Sequence, residues 1–337
     1  MFITYFFIKY LYPKLENFIK NPNGPQKIHS GNVPRLGGAS IFLSLCLASL
    51  FEYSFCSELR IYLIIAMPVF LVGFFEDIKQ SIKPSFRLLS ACLSALAFVL
   101  INDISISRLE FSPVDFFLQN ELFSLIFTVI CIVFLTQAFN IIDGLNGLSL
   151  STAITCLIAI GIIMPDQNND TLFNLTSLLI FILLGVLIFN FPGKIFIGDS
   201  GSYLLGLFVA MFVVTLFEQN TWISPLAVVQ LLMYPSYELI RSVVRRIIKK
   251  KNIFKPDKKH LHSLIYLKNL NRYRLTKLNT NILSSFTIIF LQILNLIYVI
   301  LFYQNNTLLI LGVILFIFLY EMLCKITTLS ITKLCLK

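Results

Sequence analysis

Residues 59–80, LRIYLIIAMPVFLVGFFEDIKQ, carry the stretch that decides the fold. From Leu59 to Phe75 the only charged side chain is Arg60, at the very start, and as a helix the run would rise about 25 Å at 1.5 Å per residue. That approaches the ~30 Å hydrocarbon thickness of a bilayer, so the run reads as a membrane helix. It stops on two adjacent carboxylates, Glu76 and Asp77. Acids at a helix C-terminus oppose the macrodipole, so a purely structural role explains them poorly.

The rest of the chain is of the same kind. Of 337 residues, 57% are hydrophobic, 13% are charged and 33 are Phe, which exceeds what a soluble core requires. Pro, Asn, Gly and charge clusters bound eleven candidate spans: 1–19, 36–56, 59–75, 86–101, 122–139, 147–164, 172–190, 202–217, 223–240, 282–303 and 307–323. The expected fold is all-α, a polytopic membrane bundle of ten or eleven helices forming one integral domain over 1–337. The first span is the weakest, because Met1–Tyr12 would rise only ~18 Å unless it continues towards Ile19 with Lys9 snorkelling. It has neither a basic leader nor a small-residue cleavage site, so a first helix is expected rather than a removable signal. The seven cysteines are scattered without metal spacing and read as packing residues.

Threading the spans alternately with the N-terminus outside puts 24 of the 27 Lys and Arg residues on or beside the inner segments. Lys9 lies within the first span, and only Arg60 and Arg108 fall outside. The positive-inside rule therefore orients the chain, and the net charge of +10 belongs to cytoplasmic loops rather than to a nucleic-acid surface.

With that orientation, five polar clusters share the cytoplasmic face: NPNGPQKIHSGNVPRLGG (21–38), GFFEDIKQ (73–80), NIIDGLNGL (140–148), NFPGKIFIGDSGSYLLG (190–206) and PDKKHLHSLIY (256–266). Each has an ordinary explanation. Asp143 and Asp199 precede apolar helices, where Asp caps orphan N–H groups, and glycines suit the turns beside them. Lys27, His29, His260 and His262 read singly as solvated loop residues. Together, however, four carboxylates and the chain's three histidines gather at one level of one face. A hard divalent cation there would relieve the repulsion, and Mg²⁺ favours one or two carboxylates plus substrate phosphate oxygens. Gly198 and Ser200 in GDSGS, next to a helix start, are candidates to cradle phosphate with backbone N–H groups. Lys27, Lys79, Arg87 and Lys194 can hold phosphate as well. This points to phosphoryl or glycosyl-phosphate transfer to a lipid.

In this order the motifs resemble the polyprenyl-phosphate N-acetylhexosamine-1-phosphate transferases, the MraY/WecA-like family. The likeness runs from Lys27 to Tyr266. It rests on K-x-H followed by P-x-x-G-G (Lys27, His29, Pro34, Gly37, Gly38), the acidic pair Glu76–Asp77, N-x-x-D-G-x-x-G-L (Asn140, Asp143, Gly144, Gly147, Leu148), F-x-G-D-S-G-S (Phe196 to Ser202) and H-x-H (His260, His262).

The resemblance implies that a UDP-N-acetylhexosamine delivers sugar-1-phosphate to undecaprenyl phosphate at the cytoplasmic face of the bacterial inner membrane. UMP is released, Mg²⁺ is the cofactor with Mn²⁺ as the alternative, and the product starts an envelope glycan such as O-antigen. It implies Asp199 and Asp77 at the metal. Glu76, Asp77 and Asp143 either flank the metal or serve as base for the lipid phosphate. Lys27, His29, Lys79, Asn140, Gly198, Ser200, His260 and His262 are implied on the substrates, and a homodimer is compatible. Direct in-line attack is preferred to an aspartyl-phosphate intermediate, because Asp143 has no base beside it in sequence. Two departures stand out: Glu76 replaces the commoner Asp, a longer side chain of nearly the same acidity, and the first helix is short. A transporter or flippase would place its charges near the bilayer midplane, where this sequence has almost none.

Overall fold

A computed structural model describes residues 1–11, 33–164, 170–252, 259–273 and 275–335. Every regular element among them is helical. A short helix α1 (Phe2–Phe6) runs into a π-helical stretch, Phe7–Leu11. There follow α2 (Gly37–Ala48), α3 (Cys56–Lys79), α4 (Pro84–Asn102), α5 (Ser112–Leu118), α6 (Glu121–Ile142), α7 (Leu148–Ile163), α8 (Asp170–Asn190) and α9 (Gly198–Gln219). The remaining helices are α10 (Pro225–Leu231), α11 (Met233–Ile248), α12 (Leu261–Tyr273), α13 (Lys277–Phe302) and α14 (Asn306–Cys335).

Seven of these, α3, α4, α6, α8, α9, α13 and α14, are long and apolar enough to cross a membrane, and this is a multi-pass membrane protein. The stretch Phe2–Leu11, α2 and α7 are apolar but shorter. Large side chains such as Leu100, Phe290 and Phe318 remain exposed on the peripheral helices α4, α13 and α14. Such faces suit contact with lipid tails.

The axis of the bundle is α9, in which every residue from Ser200 to Phe217 is buried. Glycines let its neighbours approach backbone to backbone. A Cβ on Gly206 would lie 2.7 Å from Thr136 Cα of α6, and one on Gly73 of α3 would lie 2.6 Å from Ser200 Cα. The P-x-x-G-G motif ties a third neighbour to the same end. Phe196 N donates to Pro34 O at 2.8 Å, while Gly37 N and Gly38 N donate to Phe196 O and Ile197 O at 2.9 Å each. A side chain at Gly37 would strike that ladder and one at Gly38 would strike Ser200 and Gly201 of α9, so the pair is a packing device.

Two expected spans differ from the structure. The span 36–56 is helical only to Ala48, a rise of about 18 Å, after which the chain turns and the next helix begins at Cys56. The run 223–240 is broken at Leu232 into α10 and α11. Pro235 has no N–H to give to the Leu231 carbonyl, so the helix cannot run straight through. Helix α11 then continues with Glu238, Arg241, Arg245 and Arg246, a mixed surface rather than a membrane span. Of the expected first helix, residues 12–19 lie outside the described residues.

Candidate active site

The acidic pair finds its counterpart at the N-terminus of α9. The first amides of a helix have no intrahelical acceptor and carry partial positive charge, while the last turn of α3 carries the opposite sign. The two ends meet with Asp77 between them. Asp199 N donates to Asp77 Oδ1 at 2.7 Å, and Ser200 N and Ser200 Oγ donate to Oδ2 at 2.9 and 2.6 Å. Asp77 is 2% exposed. Gly198 is needed for this fit twice over: its φ is +74°, and a Cβ would lie 2.4 Å from Asp77 Oδ1.

Glu76 and Arg87 form the outer layer. Glu76 Oε2 accepts the Ile82 amide at 2.8 Å, closing the turn between α3 and α4. From α4, Arg87 Nη1 donates to Asp199 Oδ2 at 2.7 Å and lies 3.9 Å from Glu76 Oε1. Asp199 itself is partly exposed. Its carboxylate therefore stands at the mouth of the helix end whose amides Asp77 has taken.

Asp143 follows the last residue of α6 on a loop braced from several sides. Asn146 N donates to Asn281 Oδ1 at 2.8 Å, Gly147 N to Asn190 Oδ1 at 2.6 Å, and Ser285 Oγ to Asn146 O at 2.7 Å. One turn earlier, Asn140 Nδ2 donates to Ser202 Oγ of α9 at 2.9 Å. Burial and then the negative charge of Asp199 push the Asp143 carboxyl up to about 7, with Arg35 acting in the opposite sense. A carboxyl raised by burial and by a neighbouring carboxylate at a helix end is a candidate for acid–base or metal chemistry.

The histidine segment reaches the same loop. A Cβ on Gly144 would lie 2.3 Å from His262 Nε2, so only glycine leaves room for that ring beside Asp143. His262 is buried, and burial, followed by the nearby His260, lowers it to about 4, against a smaller pull from Glu238. The rings of His260 and His262 lie parallel with centroids 5.3 Å apart. His260 Nδ1 is 2.8 Å from Glu238 Oε1 of α11. The Leu261 amide and the Tyr320 hydroxyl of α14 also donate to Glu238.

The structure thus joins Glu76, Asp77, Asp143, Asp199, Asn140, Gly198, Ser200, His260 and His262 in one contiguous region. Lys79 is exposed in the last turn of α3, and Lys27 and His29 lie outside the described residues. Gly198 and Ser200 are buried, and Ser200 N and Oγ donate to Asp77 together with Asp199 N, so these donors at the start of α9 already have a partner. Both oxygens of Asp77 accept hydrogen bonds from the start of α9, which makes it the organiser of that end of the site. Neither Asp143 nor Asp199 acts as a helix N-cap: α7 begins at Leu148 with Gly147 as its N-cap and no side-chain cap, and the first amides of α9 are taken by Asp77. Glu238, Tyr320 and the pairing of Arg87 with Asp199 were not anticipated. Glu238 did leave a signal, as the sole carboxylate within the apolar run 223–240.

Among the described residues, no three His, Cys, Asp or Glu side chains form a preformed metal cage. The donor set nevertheless suits a hard cation. Asp199 and Asp143 offer carboxylate oxygens near each other's charge, and Mg²⁺ takes few protein ligands when substrate phosphates supply the rest.

Residues 59–217 match the family model described as glycosyl transferase family 4. The chain is 30% identical over 284 residues to the undecaprenyl-phosphate alpha-N-acetylglucosaminyl 1-phosphate transferase of Thermotoga maritima, covering 83% of this chain and 82% of that protein. It is 30% identical over 245 residues to a probable undecaprenyl-phosphate N-acetylglucosaminyl 1-phosphate transferase of Bacillus subtilis, covering 70% and 66%. The enzyme of Yersinia pestis named like that of Thermotoga is 28% identical over 249 residues, covering 71% and 67%.

Proposed function

The chain belongs to the polyprenyl-phosphate N-acetylhexosamine-1-phosphate transferases of glycosyl transferase family 4, and from that premise we propose the reaction that it performs and the residues that carry it. It transfers N-acetylhexosamine-1-phosphate from a UDP-sugar to undecaprenyl phosphate and releases UMP, the first step of an envelope polysaccharide such as O-antigen. The relatives' names make UDP-N-acetylglucosamine the first donor to test. The positive-inside distribution supports a cytoplasmic site on a bacterial inner membrane.

The observation that carries this reading is the convergence of Asp199, Asp143, Arg87 and the histidine segment around the N-terminal end of α9. Asp199 is the residue that would hold Mg²⁺, together with substrate pyrophosphate oxygens. The ion, when bound, neutralises charge that develops on the transferring phosphoryl group. An oxygen of the lipid phosphate attacks the β-phosphorus in line, a new P–O bond forms, and the bond to the bridging oxygen breaks with its electrons leaving on UMP. Asp143, left free of the ion and with its carboxyl raised first by burial, is suited to take the proton of a singly protonated lipid phosphate. That favours it over Glu76, whose Oε2 holds the Ile82 amide. Arg87 keeps Asp199 in place and adds a fixed positive charge, so the protein's task is chiefly positioning and electrostatics.

Purified protein given Mg²⁺, undecaprenyl phosphate and a panel of UDP-N-acetylhexosamines should release UMP with at least one of them. No release with any member would overturn the reading.

A further inference from the structure

Glu238 is a carboxylate that the acid cluster does not use. It is 1% exposed, and a charge so placed survives only if donors replace its water. Those donors come from two other parts of the chain. His260 Nδ1 lies 2.8 Å from Oε1, the Leu261 amide lies 3.2 Å from Oε2 and 3.3 Å from Oε1, and the Tyr320 hydroxyl donates to Oε2. Burial alone would raise this carboxyl, but the His260 hydrogen bond, the two neighbouring imidazoles and the Tyr320 hydrogen bond outweigh it and hold it below the ordinary range.

An anchor for α12 would need only the Leu261 amide. The histidine contact does more, because a carboxylate on Nδ1 sets the tautomer and the ring plane, leaving Nε2 as the nitrogen for another partner. From His260 the contacts lead straight to the reaction centre: its ring lies parallel to His262, and His262 abuts Gly144, the residue after Asp143. His262 Nδ1 is buried without a hydrogen-bond partner among the described residues. A buried orphan of that kind needs an explanation, and a polar group of bound substrate supplies one.

We infer that Glu238 is a positioning residue for the transfer. It fixes His260 through Nδ1–H so that Nε2 is presented to the phosphates of the nucleotide-sugar, while Tyr320 of α14 steadies the carboxylate from its other oxygen. This rests on the transferase reading. It also gives the C-terminal helix, beyond the stretch that carries the sequence motifs, a part in the site.

The test is a double-mutant cycle with Glu238→Gln and His260→Gln, the latter keeping a donor for Glu238. Each protein is assayed for kcat and for KM towards nucleotide-sugar and lipid separately, alongside its melting temperature. Glu238→Gln should lower kcat/KM for the nucleotide-sugar by at least about tenfold, the loss seen when outer partners of metal-bound histidines are removed. KM for undecaprenyl phosphate should stay within about twofold, and in the His260→Gln background the further loss should be below about twofold. If Glu238→Gln fails to fold, Tyr320→Phe enters the same cycle in its place. A full, undiminished loss in the His260→Gln background would overturn the inference, as would equal losses for both substrates with a lowered melting temperature. Wild-type protein that releases no UMP from any UDP-N-acetylhexosamine would instead overturn the transferase reading, and this inference with it.

Discussion

The two ends of α9 meet the same electrostatic requirement in different ways. At the C-terminal end, Arg108 Nη2 donates to the carbonyls of Asn220 and Ile223 at 3.1 and 3.0 Å, and its guanidinium lies 4.1 Å from the centre of the Phe217 ring. Its charge is balanced by Glu110 at 2.9 Å, and the neighbouring Glu218 accepts from the Ser107 amide and hydroxyl. At the N-terminal end a single carboxylate, Asp77, already satisfies the helix. Three more, Glu76, Asp143 and Asp199, crowd beside it, with Arg87 bonded to Asp199. Capping the helix needs the first of these acids and not the others. Surplus charge in a region where charge is costly to keep is the mark of chemistry rather than of architecture.

The difference can be broken at either end. The largest effect belongs to Asp199→Asn, which should cut UMP release by about 10²- to 10³-fold or more, the scale for losing a group aimed at transition-state charge, with little change in melting temperature. Asp77→Asn should instead lower stability and activity together. An amide nitrogen would face the Asp199 and Ser200 N–H groups, and an unsatisfied buried group costs about 1–3 kcal/mol, more where charge is involved. Comparing its melting temperature with that of Asp199→Asn separates organiser from reactant.

Asp143 gives a pH-dependent contrast. Its folded carboxyl is pushed up to about 7, so in metal-free protein its ionisation penalises folding. The penalty is absent below about pH 4, grows as pH rises and is complete above about 7. Asp143→Asn should therefore raise the melting temperature at pH 8 and leave it unchanged at pH 4, while losing transfer at both. Arg108→Ala should have the smallest functional effect, a loss of about 1–3 kcal/mol in stability with kcat/KM retained. A comparable fall in kcat/KM would show that the two ends are not functionally distinct.

Much of this arrangement is legible in the sequence, for physical reasons. Long apolar runs have few folds open to them in lipid, and the distribution of Lys and Arg orients them, so the class of fold and the gathering of acids on one face follow from composition. The partner of Asp77 does not, because it lies 122 residues away and the signal is an absence, the lack of a cap on α9. GDSGS looks like a phosphate cradle for the same reason, since nothing local shows that its amides are already taken. Helix 36–56 was expected too long because its apolar composition continues past Ala48, where the chain turns before α3 begins at Cys56. In 223–240 both Pro235 and Glu238 were visible, and together they marked the break and the buried dyad that the apolar average concealed.

The most direct measurement is the initial rate of UMP release at saturating Mg²⁺ and both substrates, for wild type, Asp199→Asn and Arg108→Ala, with melting temperatures measured in the same detergent. Loss of release in Asp199→Asn with its melting temperature retained, beside normal release in a less stable Arg108→Ala, is the predicted result. Near-normal release by Asp199→Asn would contradict the claim that the reaction takes place at the N-terminal end of α9.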